Sequence, residues 1–465
     1  MGDAVSKLHR RLFLTGAAGL GAGALAIPAA ARAANLSGIE TAALRGSISA
    51  TEVGITAGTL DDQSRAFAKL IEKSAETDAP IFLPPGTYVV SNITLPKRLR
   101  LSGVPGATRI LYGGDGHLLM AENAEHIELT GLVLDGGNRW LRDDAPGLAT
   151  FRRVANLVVD NCQMIGSGAN GLALEMVSGR IERSAISGAS DAGIYSVEAG
   201  RLQISGNSVT DCANGGILVH RWKPADDHTM VIGNRIERIA ARNGGTGPFG
   251  NGINAFRADR VMIANNTIAD CAFSAIRANS SGNVQIAGNN CTRSGETAIY
   301  AEFAFQGAVI SANIVDGAAN GISVVNYNEG GRMAVVNGNI VRNLSTKGPY
   351  TADPPGFGVG ISVEADTSVT GNVVEDAPLY GVHIGWGPFM RNVSATGNVV
   401  RKVGTGFAVT VVDGAGAAVI ADNIIEDAPN GGVVGYRWTE RATDDLAKGG
   451  ASGGANLTVE RNHVS

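Results

Sequence analysis

Two glutamates, Glu302 and Glu364, are the residues of this chain best suited to passing a proton to and from a reacting bond. They occupy the same place in a repeating unit, two units apart. At ~4.8 Å per unit their backbones lie ~9.6 Å from one another. Inverting glycoside hydrolysis needs a carboxylic acid and a carboxylate at about that spacing, with water between them. On this reading Glu302 is the acid, flanked by Tyr300 and Arg277, and Glu364 is the base. The same neighbourhood allows a second chemistry on an acid sugar. Arg277 or Arg257 would neutralise the sugar carboxylate while Tyr300 or His220 takes the C5 proton. The competing reading is that both glutamates are solvated surface charges.

Around this pair the repeat aligns a ribbon of polar and aromatic residues. Tyr195, Asn254, Arg277, Tyr300 and His383 fall at one outward place, and His220, Asn279, Glu302 and Glu364 two residues further along. Arg221, Trp222, Arg257, Trp386, Arg437 and Trp438 follow at the strand exit. Aromatic faces stack on sugar rings and arginine forks pair with carboxylates, so the ribbon suits an extended polysaccharide. Trp222 and Trp438 stand eight repeats apart, ~38 Å. The two longest insertions, 240–250 and 345–357, precede this strand and are expected to wall a groove. No metal or cofactor is expected.

What positions these residues is the repeat itself. Asparagines recur at 207, 234, 266, 289, 313, 339, 372, 398 and 423, each in a phrase such as Val369-Thr370-Gly371-Asn372-Val373-Val374. A second phrase, Gly-Ile or Gly-Val, follows within each unit, as in Asn251-Gly252-Ile253 and Gly381-Val382. Runs of three to five Val- and Ile-rich residues between Gly, Asn and Asp are too short for helices and alternate as strands do. Three such runs per ~24-residue unit predict an all-β, single right-handed parallel β-helix, a solenoid of about a dozen coils. The recurring asparagines are expected to stack as a structural ladder at one corner.

The chain carries a net charge of −5, which argues against nucleic acid or an anionic membrane surface as partner. Its four cysteines, Cys162, Cys212, Cys271 and Cys291, do not fall into disulfide register. Cys212 and Cys271 share a place but lie two coils apart, beyond the reach of a bridge. Buried free thiols are expected.

The N-terminal third divides further. Arg10-Arg11-Leu12-Phe13-Leu14, then an apolar Gly/Ala-rich stretch and Ala31-Arg32-Ala33, reads as a twin-arginine export signal over 1–33, with cleavage after Ala33. Residues 34–60 read as a leader. Over 61–110 an amphipathic helix opened by Asp61-Asp62, with Phe67, Leu70 and Ile71 on one face, is expected to cap the solenoid ahead of its first strands. The repeats then run 111–465, their last coil ending at Asn462-His463-Val464-Ser465 without an evident cap.

The capping helix, Leu83-Pro84-Pro85-Gly86-Thr87-Tyr88 and Arg100-Leu101-Ser102-Gly103 resemble the opening segment of pectate-lyase-like β-helix proteins. Together with the leader, Asn251-Gly252-Ile253, Cys271-Ala272-Phe273-Ser274-Ala275-Ile276-Arg277 and Gly330-Gly331-Arg332, they resemble the twin-arginine-exported β-helix repeat proteins of bacteria. That resemblance implies the fold, the export machinery as a partner and a periplasmic or secreted location, with no stable membrane span once the signal is removed; the competing reading is an uncleaved anchor helix. It implies no activity. The chain lacks the Asn-Thr-Asp, Gly-His-Gly and Arg-Ile-Lys phrases of polygalacturonases, the Asp-Pro-His-Glu phrase of alginate epimerases and a clustered Asp set for calcium. These absences count against the enzyme reading; an exported protein acting on or binding an acidic or neutral polysaccharide is the first expectation, and a non-catalytic cell-envelope or surface binding protein the second.

Overall fold

The computed structural model describes residues 46–244, 247–449 and 456–465, all within the unit Thr41–Ser465. Arg10, Arg11 and Ala33 lie outside the described residues. The chain winds as a right-handed parallel β-solenoid with three strands per coil. Among the described residues one face stacks 16 strands. The other two faces join into a 28-stranded sheet, because strands such as Val373–Ile384 and Val399–Thr410 run round the corner between them.

Alternation explains why each face forms. On the first face Ile181, Ile204, Val231, Ile263, Ile286, Ile310, Val336 and Val369 sit in register and are fully buried. Their neighbours along each strand point outward. Stacking identical apolar positions at every coil makes one continuous core.

The asparagine ladder is present and longer than expected, reaching Asn462. Each backbone N–H donates to the side-chain oxygen of the next asparagine, as Asn289 N does to Asn313 Oδ1 at 2.9 Å. Each side-chain amide donates to that same oxygen and to a carbonyl of the preceding coil, as Asn289 Nδ2 does to Ile263 O at 3.0 Å. Every polar atom of a buried corner is thereby satisfied. The Gly-Ile phrase has a different cause. A Cβ on Gly216, Gly321 or Gly360 would lie 2.2–2.4 Å from the carbonyl oxygen of the glycine stacked on it, so the column is one of close backbone approach.

Helix α1, Ser64–Thr77, buries Phe67, Leu70 and Ile71 in the core cluster with Ile81, Leu83 and Tyr88, as a cap over the first coil. Its start differs from expectation. Gln63 is the N-cap, and Asp62 instead accepts from Ser64 N at 3.0 Å, a local turn bond. The assignment of 34–60 as a leader also needs correction at its end. Ile48–Ser49 pairs in parallel with Ile81–Phe82, and Ile48, Ala50 and Ile55 are buried, so the solenoid begins there.

At the other end the last strand of the third face is closed after all. Strand Glu440–Asp445 folds back antiparallel on Val433–Arg437. The Asp445 carboxylate accepts from Gly432 N at 2.8 Å and Val433 N at 3.0 Å, in place of the next coil's carbonyls. All four cysteines are buried and free. Burial pushes the Cys162 thiol up to about 11 and those of Cys212 and Cys291 to about 12, so they are inert core residues. Among the described residues no helix is long and apolar enough to cross a membrane.

Candidate functional site

The third face presents its outward residues in two columns. One runs Tyr195, Leu218, Asn254, Arg277, Tyr300, Ser323, Ser362 and His383 in unbroken register. The other runs Val197, His220, Phe256, Asn279 and Glu302. The columns were legible from the repeat; what their side chains do was not.

Arg277 turns along the solenoid axis onto Glu302, Nε to Oε1 at 2.5 Å and Nη2 to Oε2 at 3.1 Å. Asn279 Nδ2 donates to the same Oε1 at 2.8 Å. Arg277 Nη1 lies 3.6 Å from Glu296 Oε2, whose other oxygen accepts from the Tyr350 hydroxyl. Arg277, Glu302 and Glu296 are all nearly inaccessible to solvent. Burial raises the Glu302 carboxyl against the pull of Arg277. The expectation of Glu302 as an accessible acid is therefore corrected: both its oxygens are committed to a buried ion cluster.

Glu364 stands apart from that cluster. Tyr327 N donates to its Oε2 at 2.6 Å. Burial pushes its carboxyl up to about 7, with the backbone N–H groups of Tyr327 and Asn326 pulling the other way. It lines a cavity of about 280 Å³ with Tyr300, Ser323, Ser362, His383 and Trp386. The 345–357 insertion covers this cavity as an arm carrying Tyr350, Asp353 and Phe357. Tyr350 is fixed there by stacking on Phe273, centroids 6.4 Å apart, and by the edge of Phe357 at 5.4 Å. Gly358 N bonds Asn320 Oδ1 at 3.1 Å and ties the arm's end to the coil below.

One end of the cavity is aromatic. His383 stacks on Tyr380 at 5.4 Å and bonds Ser362 Oγ through Nδ1 at 3.2 Å. Burial lowers its pKa to about 4, so the ring is neutral. Trp386 meets the edge of Trp438 at 5.2 Å. Trp438 reaches it from the turn between Arg437 and Glu440, so the Arg437-Trp438 pair belongs to the terminal hairpin.

The remaining ribbon residues are not gathered into this cavity. Arg221 is engaged by Glu198 at 2.6 Å and Asp227 at 3.3 Å, and Trp222 stands exposed beside it. Arg257 lies over the Phe256 ring at 4.6 Å and donates to the Trp222 carbonyl at 2.8 Å. His220 is wedged between Tyr195 and Phe256, and burial lowers its pKa to about 4. Asn254 is buried in the column ahead of Arg277.

The uronate chemistry loses its parts for the same reasons. Arg277 and Arg257 are occupied, burial pushes the Tyr300 hydroxyl up to about 12, and His220 is packed away. Glu296, Tyr350, Asp353 and Ser362 escaped sequence reasoning. The usable signal was the 33-residue step between Asn339 and Asn372, the longest between the anchors then recognised, which holds Tyr350 and Asp353.

A broader depression of about 690 Å³ on the first face is lined by His228, Arg260, Gln285, Val309, Met333 and Asp366. Its Arg260 is paired with Asp226, and Asp366 is held down at about 2, chiefly by its hydrogen bond from Arg391. Among the described residues no cluster of three or more His, Cys, Asp or Glu side chains is arranged to hold a metal.

Coils in parallel register, with a cavity on an outer face, define the parallel β-solenoid class. Residues 143–236 and 223–400 match the family model described as right handed beta helix region, together more than half of the chain. The chain belongs to that family. Residues 47–160 match a second model, Rhamnogalacturonase A/epimerase, pectate lyase-like. No curated protein matches.

Among solved structures, gene product 12 of bacteriophage phi29 is 16% identical with a TM-score of 0.55, over 86% of this chain and 58% of that one. The chain thus spans little more than half of that protein's length, and the likeness is one of fold. The GH87 α-1,3-glucanase of Streptomyces thermodiastaticus is 15% identical with a TM-score of 0.43, over 90% of this chain and 69% of that one. The mannuronan C-5 epimerase AlgE6 A-module of Azotobacter vinelandii is 13% identical with a TM-score of 0.41, over 90% and 98%.

Proposed function

We propose that this protein binds a polysaccharide end or branch in the arm-covered cavity and hydrolyses it with Glu364 as proton donor. The observation that carries this reading is a solvent-shielded carboxyl that keeps its proton to about pH 7, set among Tyr300, Tyr350, Phe357 and Trp386. An acid with that pKa is matched to protonating a leaving oxygen near neutrality. Glu364 gives its proton to the glycosidic oxygen as the C–O bond breaks. Asp353, the other carboxyl lining the cavity, takes a proton from the water that attacks the sugar carbon. The roles expected for Glu302 and Glu364 are thereby recast, with Glu302 holding Arg277 in place. At about 280 Å³ the cavity lies just below the roughly 300 Å³ at which small-molecule pockets begin, and suits a single ring better than a long chain segment. The N-terminal match to a model named for rhamnogalacturonase and epimerase supports a saccharide substrate.

The test is release of reducing ends from a panel of polysaccharides by the wild type and by Glu364→Gln. Loss of activity with an unchanged circular dichroism spectrum supports the assignment. Activity surviving in the variant removes it. The commitment of both Glu302 oxygens favours a second reading, a binding protein without catalysis. Polymer retention by a wild type that yields no reducing ends selects that one.

The leader over 1–33 supports export by the twin-arginine route to the periplasm or beyond. Four buried reduced thiols fit folding in the cytoplasm before transport. Replacing Arg10 and Arg11 by lysine should hold the protein in the cytoplasm; export undiminished would argue against the signal.

A further inference from the structure

Charge, rather than ring shape alone, is what the cavity offers as a basis for selecting its ligand. Its lining carries two carboxyl groups, Glu364 and Asp353, and among the described lining residues there is no lysine or arginine. Three guanidiniums of the surrounding coils are engaged elsewhere. Arg277 is clamped between Glu302 and Glu296. Arg391 pairs with Asp366 while lying over the Tyr327 ring at 4.8 Å, and Arg332 shares that aspartate. The imidazole of His383 is buried against Tyr380 and neutral. The Tyr350 hydroxyl donates to Glu296 and is not free to donate to a ligand carboxylate.

We propose that this cavity takes uncharged or amino sugars and excludes uronates, an inference that rests on reading the cavity as the glycan site. A uronate carboxylate would lose its water here and meet no cation in exchange. It would face Asp353, and Glu364 as well once that group ionises. An uncharged hexose has no such cost and stacks on Trp386 or Tyr300. An ammonium on the sugar gains from the carboxylates and from the faces of the same rings.

The experiment is calorimetric titration of the full chain at pH 7 and low salt with three oligosaccharides of equal length: an uncharged glucan, its glucosamine counterpart and oligogalacturonate. The first two should bind, with the third at least about tenfold weaker. The disparity should shrink at about 0.5 M salt. In Asp353→Lys, on the exposed arm, uronate affinity should rise by about tenfold while glucosamine affinity falls. Uronate binding as tight as the uncharged glucan overturns the charge rule and leaves the glycan site standing. An Asp353→Lys variant with unaltered selectivity also overturns it. Binding of none of the three overturns the glycan reading itself.

Discussion

Arg277 grips both oxygens of Glu302 from the neighbouring coil, through Nε at 2.5 Å and Nη2 at 3.1 Å, while its Nη1 faces Glu296 at 3.6 Å. One guanidinium thus serves two buried carboxyl groups on the next coil, at either end of the strand Thr297–Glu302. Removing it leaves both without a counterion. Arg277→Ala should lose about 3–5 kcal/mol of stability. The loss should be larger at pH 8 than at pH 5, because acid lets the stranded carboxyl groups take up protons. Urea unfolding at the two pH values checks this, and an equal loss at both would show that charge burial is not the cause.

Glu364 gives the opposite pH signature. Its carboxyl holds a proton to about pH 7 in the folded chain, against an ordinary value of 4.5. Between these values the folded state binds the extra proton, so stability falls as pH rises through the window, by about 3 kcal/mol in all. Glu364→Gln should therefore gain in Tm over the wild type at pH 8 and gain little at pH 4. Where the wild type is active, its rate should decline above about pH 7 as the donor ionises.

In the asparagine ladder a single truncation reaches three coils. Asn289→Ala removes donors to Ile263 O and Asn313 Oδ1 and an acceptor used by Asn266 N. With several buried groups unpaired, a loss of about 3–5 kcal/mol is expected. Hydrogen exchange should accelerate at Asn266, Asn289 and their flanking strands, with coils near Leu129 unchanged. Uniform acceleration along the solenoid would contradict nearest-neighbour stacking.

Gly387 lies at φ +57°, and a Cβ there would come 2.3 Å from the Trp438 ring. Gly387→Ala should push Trp438 off the edge of Trp386, seen as a red shift in tryptophan emission. Saccharide affinity should fall about fivefold as Trp386 loses its support, and Trp438→Ala should reproduce that fall with the turn intact. Unchanged affinity in both would place the aromatic pair outside recognition.

The solenoid was legible because its stacked columns restrict the residue type at each coil: asparagine for its hydrogen bonds at 207 through 423, and glycine or alanine for close backbone approach from 216 through 360. Alternation even ordered the outward columns, placing Tyr300 and His383 together before any coordinates. Periodicity says nothing of which way a long side chain leans along the axis. Arg277 therefore looked free to meet a substrate, when it leans onto Glu302 and Glu296. Of the elements that break the period, the 345–357 insertion was legible as a groove wall, but not which of its side chains face the cavity. The 345–357 arm supplies just over a third of the residues lining the cavity, and the strand Glu440–Asp445 covers the last strand of the third face in place of a following coil.

The arm departs from the solenoid and returns without disturbing it. Asn339 still bonds Asn372 at 2.9 Å across the 33-residue step, and Ile322 still pairs with Ile361. The arm's share of the cavity wall and the columns that keep the chain wound are thus encoded in separate stretches of chain. Exchanging this one segment should therefore reshape the cavity's mouth while leaving the spine intact.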